Sequence, residues 1–158
     1  KFDKSIDDRL PKNKWQKIKK KPHIVIFEGW CVGASAQKNK DLLVPVNVLE
    51  KDEDKKRIWR NRVNKELKNN YKKIFKLIDK NIFLKVPNFN YVYKWRLLQE
   101  KKLRAVYKGK KTMNSNQIKK FIMFYERLTK HMLKNFSKKA KIVIKIDEKH
   151  RLKTVSIN

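Results

Sequence analysis

The chain has 158 residues and a formal net charge of +29, from 44 Lys and Arg against 15 Asp and Glu. Its hydrophobic content of 40% excludes intrinsic disorder, which needs low hydrophobicity as well as high charge. The length predicts a single domain over residues 1–158. The lone cysteine, Cys31, excludes an intrachain disulfide framework and favours a cytoplasmic protein. No apolar run approaches the roughly 18 residues of a membrane span, so we expect no membrane partner.

The positive charge has two interpretations. Clustered Lys and Arg bind phosphate backbones and release counterions, which indicates nucleic-acid binding. However, only 8 of the 44 basic residues are Arg, the side chain best suited to reading bases. The lysines are spread along the whole chain, as a biased composition rich in Lys, Asn and Ile would produce. We therefore expect a small-molecule substrate and no specific nucleic acid, and we keep a nucleic-acid-binding module as the alternative.

The first predicted strand covers residues 23–27. Residues 1–21 before it are polar and basic, and they predict a loop with Trp15 as its only large anchor. The run from His23 to Phe27 is apolar and β-branched, which predicts a strand buried on both faces of a parallel sheet. It ends at Glu28-Gly29-Trp30, and the carboxyl ends of such strands are where open α/β sheets bind ligands.

The rest of the chain alternates predicted helices with predicted strands. Alternation of this kind predicts an α/β fold with a parallel sheet. In chain order we predict a helix over 52–78 capped by Asp52, a strand over 82–86, a helix over 92–106 ended by Gly109, a helix over 115–132 capped by Ser115, a strand over 142–146, and a terminal strand over 152–157.

Six short segments, in order along the chain, carry a resemblance to a known family. They are residues 2–5 with 8–9, 26–33, 46–50, 92–100, 113–129 and 142–150. Each segment alone is common, but the ordered set is much more specific. It resembles the C-terminal part of the P-loop kinases related to D-glycerate 3-kinase and, more distantly, to uridine kinase and phosphoribulokinase.

The resemblance implies a parallel-sheet, three-layer P-loop kinase fold that is incomplete on its N-terminal side. It also implies ATP-dependent phosphoryl transfer, with Mg²⁺, to a small hydroxylated acid such as D-glycerate. Glu28 would contact Mg²⁺, since a carboxylate suits a hard cation, and Glu28, Ser5 and Trp30 would line the substrate side. An ion pair between Glu28 and a lysine at the sheet end is the simpler alternative.

The catalytic residues implied by the resemblance are Asp3, Lys4, Arg9 and Arg96. The cationic side chains of Lys4, Arg9 and Arg96 would face an anionic acceptor and the transferred phosphate. Arg96 and Arg104 would also bind ATP from the helices of a lid. For Arg96 an ordinary helix ion pair with the residue four positions later is the alternative.

One motif of the family is missing from this sequence. No G-x-x-x-x-G-K-[ST] loop occurs, since Gly29, Gly33 and Gly109 do not form that spacing. The acidic pair that follows the next strand in the family is missing too. We expect both to lie upstream of Lys1 in a longer chain, and a non-catalytic remnant of the kinase fold is the alternative.

Overall fold

The computed structural model describes residues 2–3, 8–106 and 112–158. Its helices are α1 (Val48–Asp52), α2 (Ile58–Lys68), α3 (Asn70–Phe75), α4 (Phe89–Val106) and α5 (Ser115–Asn135). Its strands are β1 (Phe2–Asp3), β2 (Asp8–Arg9), β3 (Ile82–Lys85), β4 (Ile142–Ile146) and β5 (Leu152–Ile157). Short 3₁₀ helices occupy Lys12–Lys14, Asn39–Leu42 and Phe136–Lys138. The predicted α/β class is confirmed, and none of the described helices is long and apolar enough to cross a membrane.

The main sheet is mixed and has the strand order β3-β4-β5. β3 and β4 run parallel, as predicted, with Ile82 opposite Ile142. β5 runs antiparallel to β4, so the prediction of a purely parallel sheet is wrong at this strand. The connection from β4 to β5 is a tight turn with His150 at a φ of 62°. Such a turn is far too short for the crossover that a parallel strand needs.

The main core lies on one face of this sheet. Phe83 of β3 meets Phe136 edge to face, with ring centroids 5.2 Å apart, and Val143 of β4 is buried beside them. Met132 of α5 and Leu67 of α2 complete the cluster. The opposite face of the sheet stays exposed, so the part of the chain that the structure describes does not show the three layers that the resemblance implies.

A second, smaller core joins α4 to α5. Val92 of α4 packs against Ile118 and Ile122 of α5, and Ile118 is fully buried. Because α5 contributes to both cores, it ties the lid-like helix α4 to the body of the molecule.

The predicted strand over residues 23–27 is wrong. Ile24, Val25, Ile26 and Phe27 lie in irregular backbone and are between 56% and 87% exposed. Composition favours a strand here, but a strand also needs a neighbour to receive its hydrogen bonds. In the described ranges no strand pairs with this segment.

The long helix predicted over residues 52–78 is two separate helices, α2 and α3. Asp52 ends α1 instead of capping a helix, and the cap of α1 is Asn47, whose side chain accepts a hydrogen bond from the amide of Glu50. The three- and four-residue spacing of Trp59, Val63, Tyr71 and Ile74 predicts a buried apolar face for this helix, but all four side chains are exposed.

The buried face of α2 is largely polar. Its buried residues are Arg60, Asn64 and Leu67. Arg60 and Asn64 bind buried backbone carbonyls, which stabilises a helix face that hydrophobicity alone would place at the surface.

Helix α5 begins with a capping box one residue before the predicted cap. The side chain of Asn114 accepts from the amide of Gln117, and the side chain of Gln117 accepts from the amide of Asn114. Two backbone donors at the start of the helix are thereby satisfied.

Replacing Asn114 with alanine should lower the free energy of unfolding by about 1 kcal/mol, because the amide of Gln117 loses its acceptor. Asn116→Ala, at an exposed position of the same first turn, is the matched control and should cost less than about 0.5 kcal/mol. Urea denaturation of both variants checks this. Equal losses would contradict the assignment of the cap to Asn114.

Candidate active site

A buried ion pair joins α1 to α5. Two nitrogens of the Arg127 guanidinium, Nε and Nη2, donate to the Glu50 carboxylate, with Nε–Oε1 at 2.7 Å and Nη2–Oε2 at 2.6 Å. Arg127 also donates to the carbonyls of Asp41 and Val44. Bidentate pairs of this kind are among the strongest interactions between arginine and a carboxylate. Here the pair fixes the loop over residues 41–47 against α5. Sequence reasoning missed it, since charged residues are rarely buried.

A second buried pair connects α1 to α2. Arg60 Nη1 lies 3.2 Å from Asp54 Oδ2 and 3.8 Å from Glu50 Oε2. Asp54 also accepts from the amides of Trp59 and Arg60, so its carboxylate holds the start of α2. The four charges neutralise each other in pairs, which is the condition for burying them.

Asn47 links this ion-pair network to the surface of α5. Its side-chain amide donates to the carbonyl of Met123 at 2.9 Å and to Glu126 Oε2 at 3.0 Å. Glu126 in turn pairs with Lys130. The loop before α1 is thus bound to α5 by its backbone and its side chains.

Trp30 is held against the same helix. Its indole Nε1 donates to Thr129 Oγ1 at 2.7 Å, and its ring stacks on Tyr125 with centroids 5.1 Å apart and planes 23° apart. About two fifths of Trp30 stays exposed, so the ring is fixed but one surface remains open to a ligand.

An aromatic row on α5 leads from Trp30 to Arg96. Tyr125 contacts Phe121 at 5.2 Å, and the Arg96 guanidinium lies over the Phe121 ring at 5.4 Å. Arg96 Nη2 forms a 2.6 Å ion pair with Glu100, the helix pair that the sequence offered as the alternative to a catalytic role for Arg96. Arg96 Nε is buried without a hydrogen-bond partner among the described residues.

Glu100 and Arg104 hold the segment that enters α5. Glu100 Oε2 accepts from the amide of Met113 at 3.2 Å. Arg104 donates from Nε to Thr112 Oγ1 and from Nη2 to the carbonyl of Met113. Arg104 therefore has an internal partner in this structure, and its predicted contact with ATP stays a prediction.

The remaining predicted site residues lie towards the N-terminus. Glu28 is exposed and stands two residues before the anchored Trp30, and Arg9 is exposed in β2, which pairs with β1. The backbone of Asp3 lies in β1, but its side chain, like Lys4 and Ser5, falls outside the described residues. The structure thus brings together Arg96 and Trp30 through α5, with Glu28 adjacent in sequence.

An aromatic cluster that the sequence did not reveal lies beyond the carboxyl end of β4. The rings of Trp95 and His150 are 4.0 Å apart, and Trp95 Nε1 donates to the carbonyl of Glu148. A hydrogen bond to Glu148 raises the pKa of Tyr91, which lies one turn earlier on α4. These residues bind the turn after β4 to the first half of α4.

Cys31 has no sign of chemical activation. Burial raises the pKa of its thiol to about 11, and the residue packs at the edge of the main core. A protonated thiol is a poor nucleophile, so the packing of Cys31 is consistent with a structural role.

Among the residues that the structure describes, no three His, Cys, Asp or Glu side chains gather as a metal site. A kinase cation is usually bound by one or two carboxylates together with phosphate oxygens. Glu28 is an exposed carboxylate two residues before the anchored Trp30 indole. It fits the need for one carboxylate that binds the cation together with phosphate oxygens.

Two curated proteins are similar to this chain in sequence. The uncharacterized kinase mug58 of Schizosaccharomyces pombe is 34% identical over 131 residues, which cover 78% of this chain and 45% of that protein. The chloroplastic D-glycerate 3-kinase of Arabidopsis thaliana is 26% identical over 118 residues, which cover 75% of this chain and 23% of that protein. The chain therefore spans less than half the length of these relatives. No protein-family model matches it.

Solved structures agree on the fold. The D-glycerate 3-kinase of Cryptococcus neoformans var. grubii superposes with a TM-score of 0.71 at 20% identity, over 89% of this chain and 52% of that one. The chain is a relative of the D-glycerate 3-kinase-like kinases. The predicted resemblance is thereby confirmed. The structure of the YGR205w protein has a lower TM-score of 0.56 at 22% identity, over 81% of this chain and 45% of that one.

Replacing Arg127 with methionine should lower the free energy of unfolding by about 3 to 5 kcal/mol, because the Glu50 carboxylate stays buried with only the more distant Arg60. The control is Arg62→Met, which removes an exposed i, i+4 pair with Glu66 and should cost less than about 0.5 kcal/mol. Urea denaturation measures both. A loss for Arg127→Met as small as that of the control would contradict the role of the buried pair.

Proposed function

We propose that the protein is a kinase that transfers a phosphoryl group from ATP to a small hydroxylated acid, with D-glycerate as the first candidate. The proposal rests on the two kinase relatives and on the fold shared with a D-glycerate 3-kinase. In the proposed enzyme this chain supplies the acceptor side and the lid. The G-x-x-x-x-G-K-[ST] loop that binds ATP phosphates in P-loop kinases does not occur in this sequence.

The observation that carries the proposal is the row Trp30–Tyr125–Phe121–Arg96. It places a fixed indole and a guanidinium along one helix, and Glu28 stands two residues before that indole in the sequence. Phosphoryl transfer needs positioning and charge stabilisation more than covalent help from the protein. In the proposed enzyme the rigid aromatic row would position the ligand, and the Arg96 guanidinium at its end would stabilise negative charge.

Arg96 is suited to a phosphate or carboxylate ligand. Nη2 pairs with Glu100 and Nη1 donates to Gln99, which orients the guanidinium, while the buried Nε has no partner among the described residues. In the proposed enzyme Arg96 would bind the transferred phosphate, with Arg9 and Lys4 facing the anionic acceptor. Arg104 would act indirectly, by holding the segment that enters α5.

Glu28 would hold Mg²⁺ together with phosphate oxygens of ATP. The bound cation would neutralise charge that develops on the phosphates. Trp30 would keep the Glu28 segment in place, because its indole is fixed by Thr129 and Tyr125. Asp3 and Ser5 belong to the same proposed acceptor side.

A small molecule is the proposed partner, in preference to nucleic acid. Six of the eight arginines already bind carboxylates or backbone carbonyls within the chain; they are Arg60, Arg62, Arg96, Arg104, Arg127 and Arg151. Their guanidinium groups are therefore not free to form hydrogen bonds with base edges. A cytoplasmic location remains the prediction made from the single cysteine.

The test is ADP release by the full-length natural protein with Mg-ATP and D-glycerate, nucleosides or pantothenate as acceptors. We expect release that depends on D-glycerate. Glu28→Gln and Arg96→Gln should each lower kcat/KM about 10²- to 10³-fold, because each removes charge stabilisation at the phosphates.

The control for this assay is Arg62→Gln, on the exposed side of α2, which should leave kcat/KM within about twofold of the natural protein. No acceptor-dependent ADP release with any of the acceptors would contradict the proposal. Normal turnover in Glu28→Gln would contradict the cation role of that carboxylate.

A further inference from the structure

His131 of α5 binds the segment over residues 31–37, which directly follows the anchored Trp30. Its ring nitrogen Nε2 lies 3.2 Å from Ser35 Oγ, and its Nδ1 lies 3.1 Å from Asn135 Nδ2. The three side chains of this cluster are half-buried. Each ring nitrogen of His131 therefore has one polar partner, the first on the segment and the second at the end of α5.

The amide group of Asn135 fixes where the proton of the neutral His131 ring lies. Asn135 Nδ2 also donates to the main-chain carbonyl of His131 at 3.0 Å, so reversing the amide would make two oxygens face each other. Nδ1 therefore accepts from Asn135, and the ring proton lies on Nε2, which donates to Ser35 Oγ. Because Nε2 carries the proton, it is not a base for the Ser35 hydroxyl, and the contact is an anchor and not an activated nucleophile.

We propose that neutral His131 is a pH-dependent latch, which holds the segment over residues 31–37 on α5 and releases it when the imidazole ring takes up a proton. A protonated ring carries an N–H group at both nitrogens. Its Nδ1–H would point at the amide NH₂ of Asn135, which is also a donor, so that hydrogen bond would be lost. Because the ring is rigid, a rotation that moves Nδ1 away from Asn135 also moves Nε2 away from Ser35.

The surroundings of His131 oppose protonation while the latch is closed. Burial lowers the pKa of His131 most, and the positive charges of Lys139 and Lys134 lower it further, whereas Asp41 raises it in part. A released ring regains the ordinary histidine pKa of about 6.5. The latch therefore stabilises the closed segment above about pH 6.5, and this stabilisation is lost as the pH falls through the lower pKa of the closed state.

The segment is otherwise hydrogen-bonded at its two ends. Trp30 is bound to α5 at one end, and the amide of Gln37 donates to a side chain of α2 at the other. Between these ends, Ser35 makes the one side-chain hydrogen bond to α5 in the part of the chain that the structure describes. Loss of the Ser35 contact would therefore loosen the middle of the segment while both ends stay bound.

Nitrogen NMR of the histidine rings in the full-length natural protein measures the tautomer and the titration of His131 directly. The ring signals are assigned through correlations to the backbone amide of the same residue. We expect the proton of neutral His131 to lie on Nε2, and its titration midpoint to lie below that of a free peptide spanning residues 127–135. A proton on Nδ1, or a midpoint equal to or above that of the peptide, would overturn the proposal.

Hydrogen–deuterium exchange of the same protein at about pH 5.5 and about pH 7.5 measures release of the segment. The probe is the buried amide of Ala34, which donates to the carbonyl of Cys31 in the middle of the segment. After correction for intrinsic exchange rates, this amide should exchange about threefold or more faster at the lower pH, relative to the interior of α5. An unchanged ratio would contradict release.

The variant His131→Gln separates protonation from the hydrogen bonds. Glutamine supplies one acceptor and one donor, as the neutral ring does, but it does not titrate. In this variant the acceleration at low pH should fall below about 1.5-fold. The control His23→Gln removes an exposed histidine and should keep the full acceleration. Full acceleration in His131→Gln, or its loss in His23→Gln, would assign the pH effect to another group.

Discussion

The Glu50–Arg127 pair is the interaction on which the rest of the described structure depends. Arg127 binds both oxygens of a buried carboxylate and, with the same guanidinium, two carbonyls of the preceding loop. A hydrophobic pair could fill the same space but would not fix α1 at a single position along α5. A buried pair with this geometry is costly to break and tolerates a single arrangement, and we infer that it sets the position of α1 on α5.

The candidate site follows from that arrangement. Because α5 is fixed by Arg127 and Asn47 on one side and by Ile118 on the other, its half-buried aromatic row has a defined place. Trp30 is then anchored at one end of the row and Arg96 at the other. In the proposed enzyme this row would be a preorganised part of the site, and preorganised charge is the main source of rate enhancement in phosphoryl transfer.

The sequence was informative where structure depends on local signals. The strand over Ile142–Ile146, the terminal strand and the two long helices α4 and α5 have clear periodicity, and all four are confirmed. The Arg96–Glu100 pair also follows from helical spacing alone. For the fold family, the ordered motifs were more informative than the net charge.

Prediction failed where a residue's place depends on distant partners. Four charged residues are buried because each forms an ion pair; they are Glu50, Asp54, Arg60 and Arg127. No local sequence pattern predicts which residues will pair in this way. The run over residues 24–27 has the composition of a strand but no described neighbour to pair with. The antiparallel course of β5 depends on the turn at His150, which composition does not show.

Hydrogen–deuterium exchange of the unmodified chain tests the central claim most directly. If the Glu50–Arg127 pair fixes α1 on α5, the amides of Val46, Glu50 and Lys51 should exchange as slowly as the interior of α5, because each has an internal acceptor. The amides of residues 24–27, which have no backbone partner among the described residues, should exchange at the rate of an unstructured peptide. Exchange at residues 46–51 as fast as at 24–27 would contradict the account.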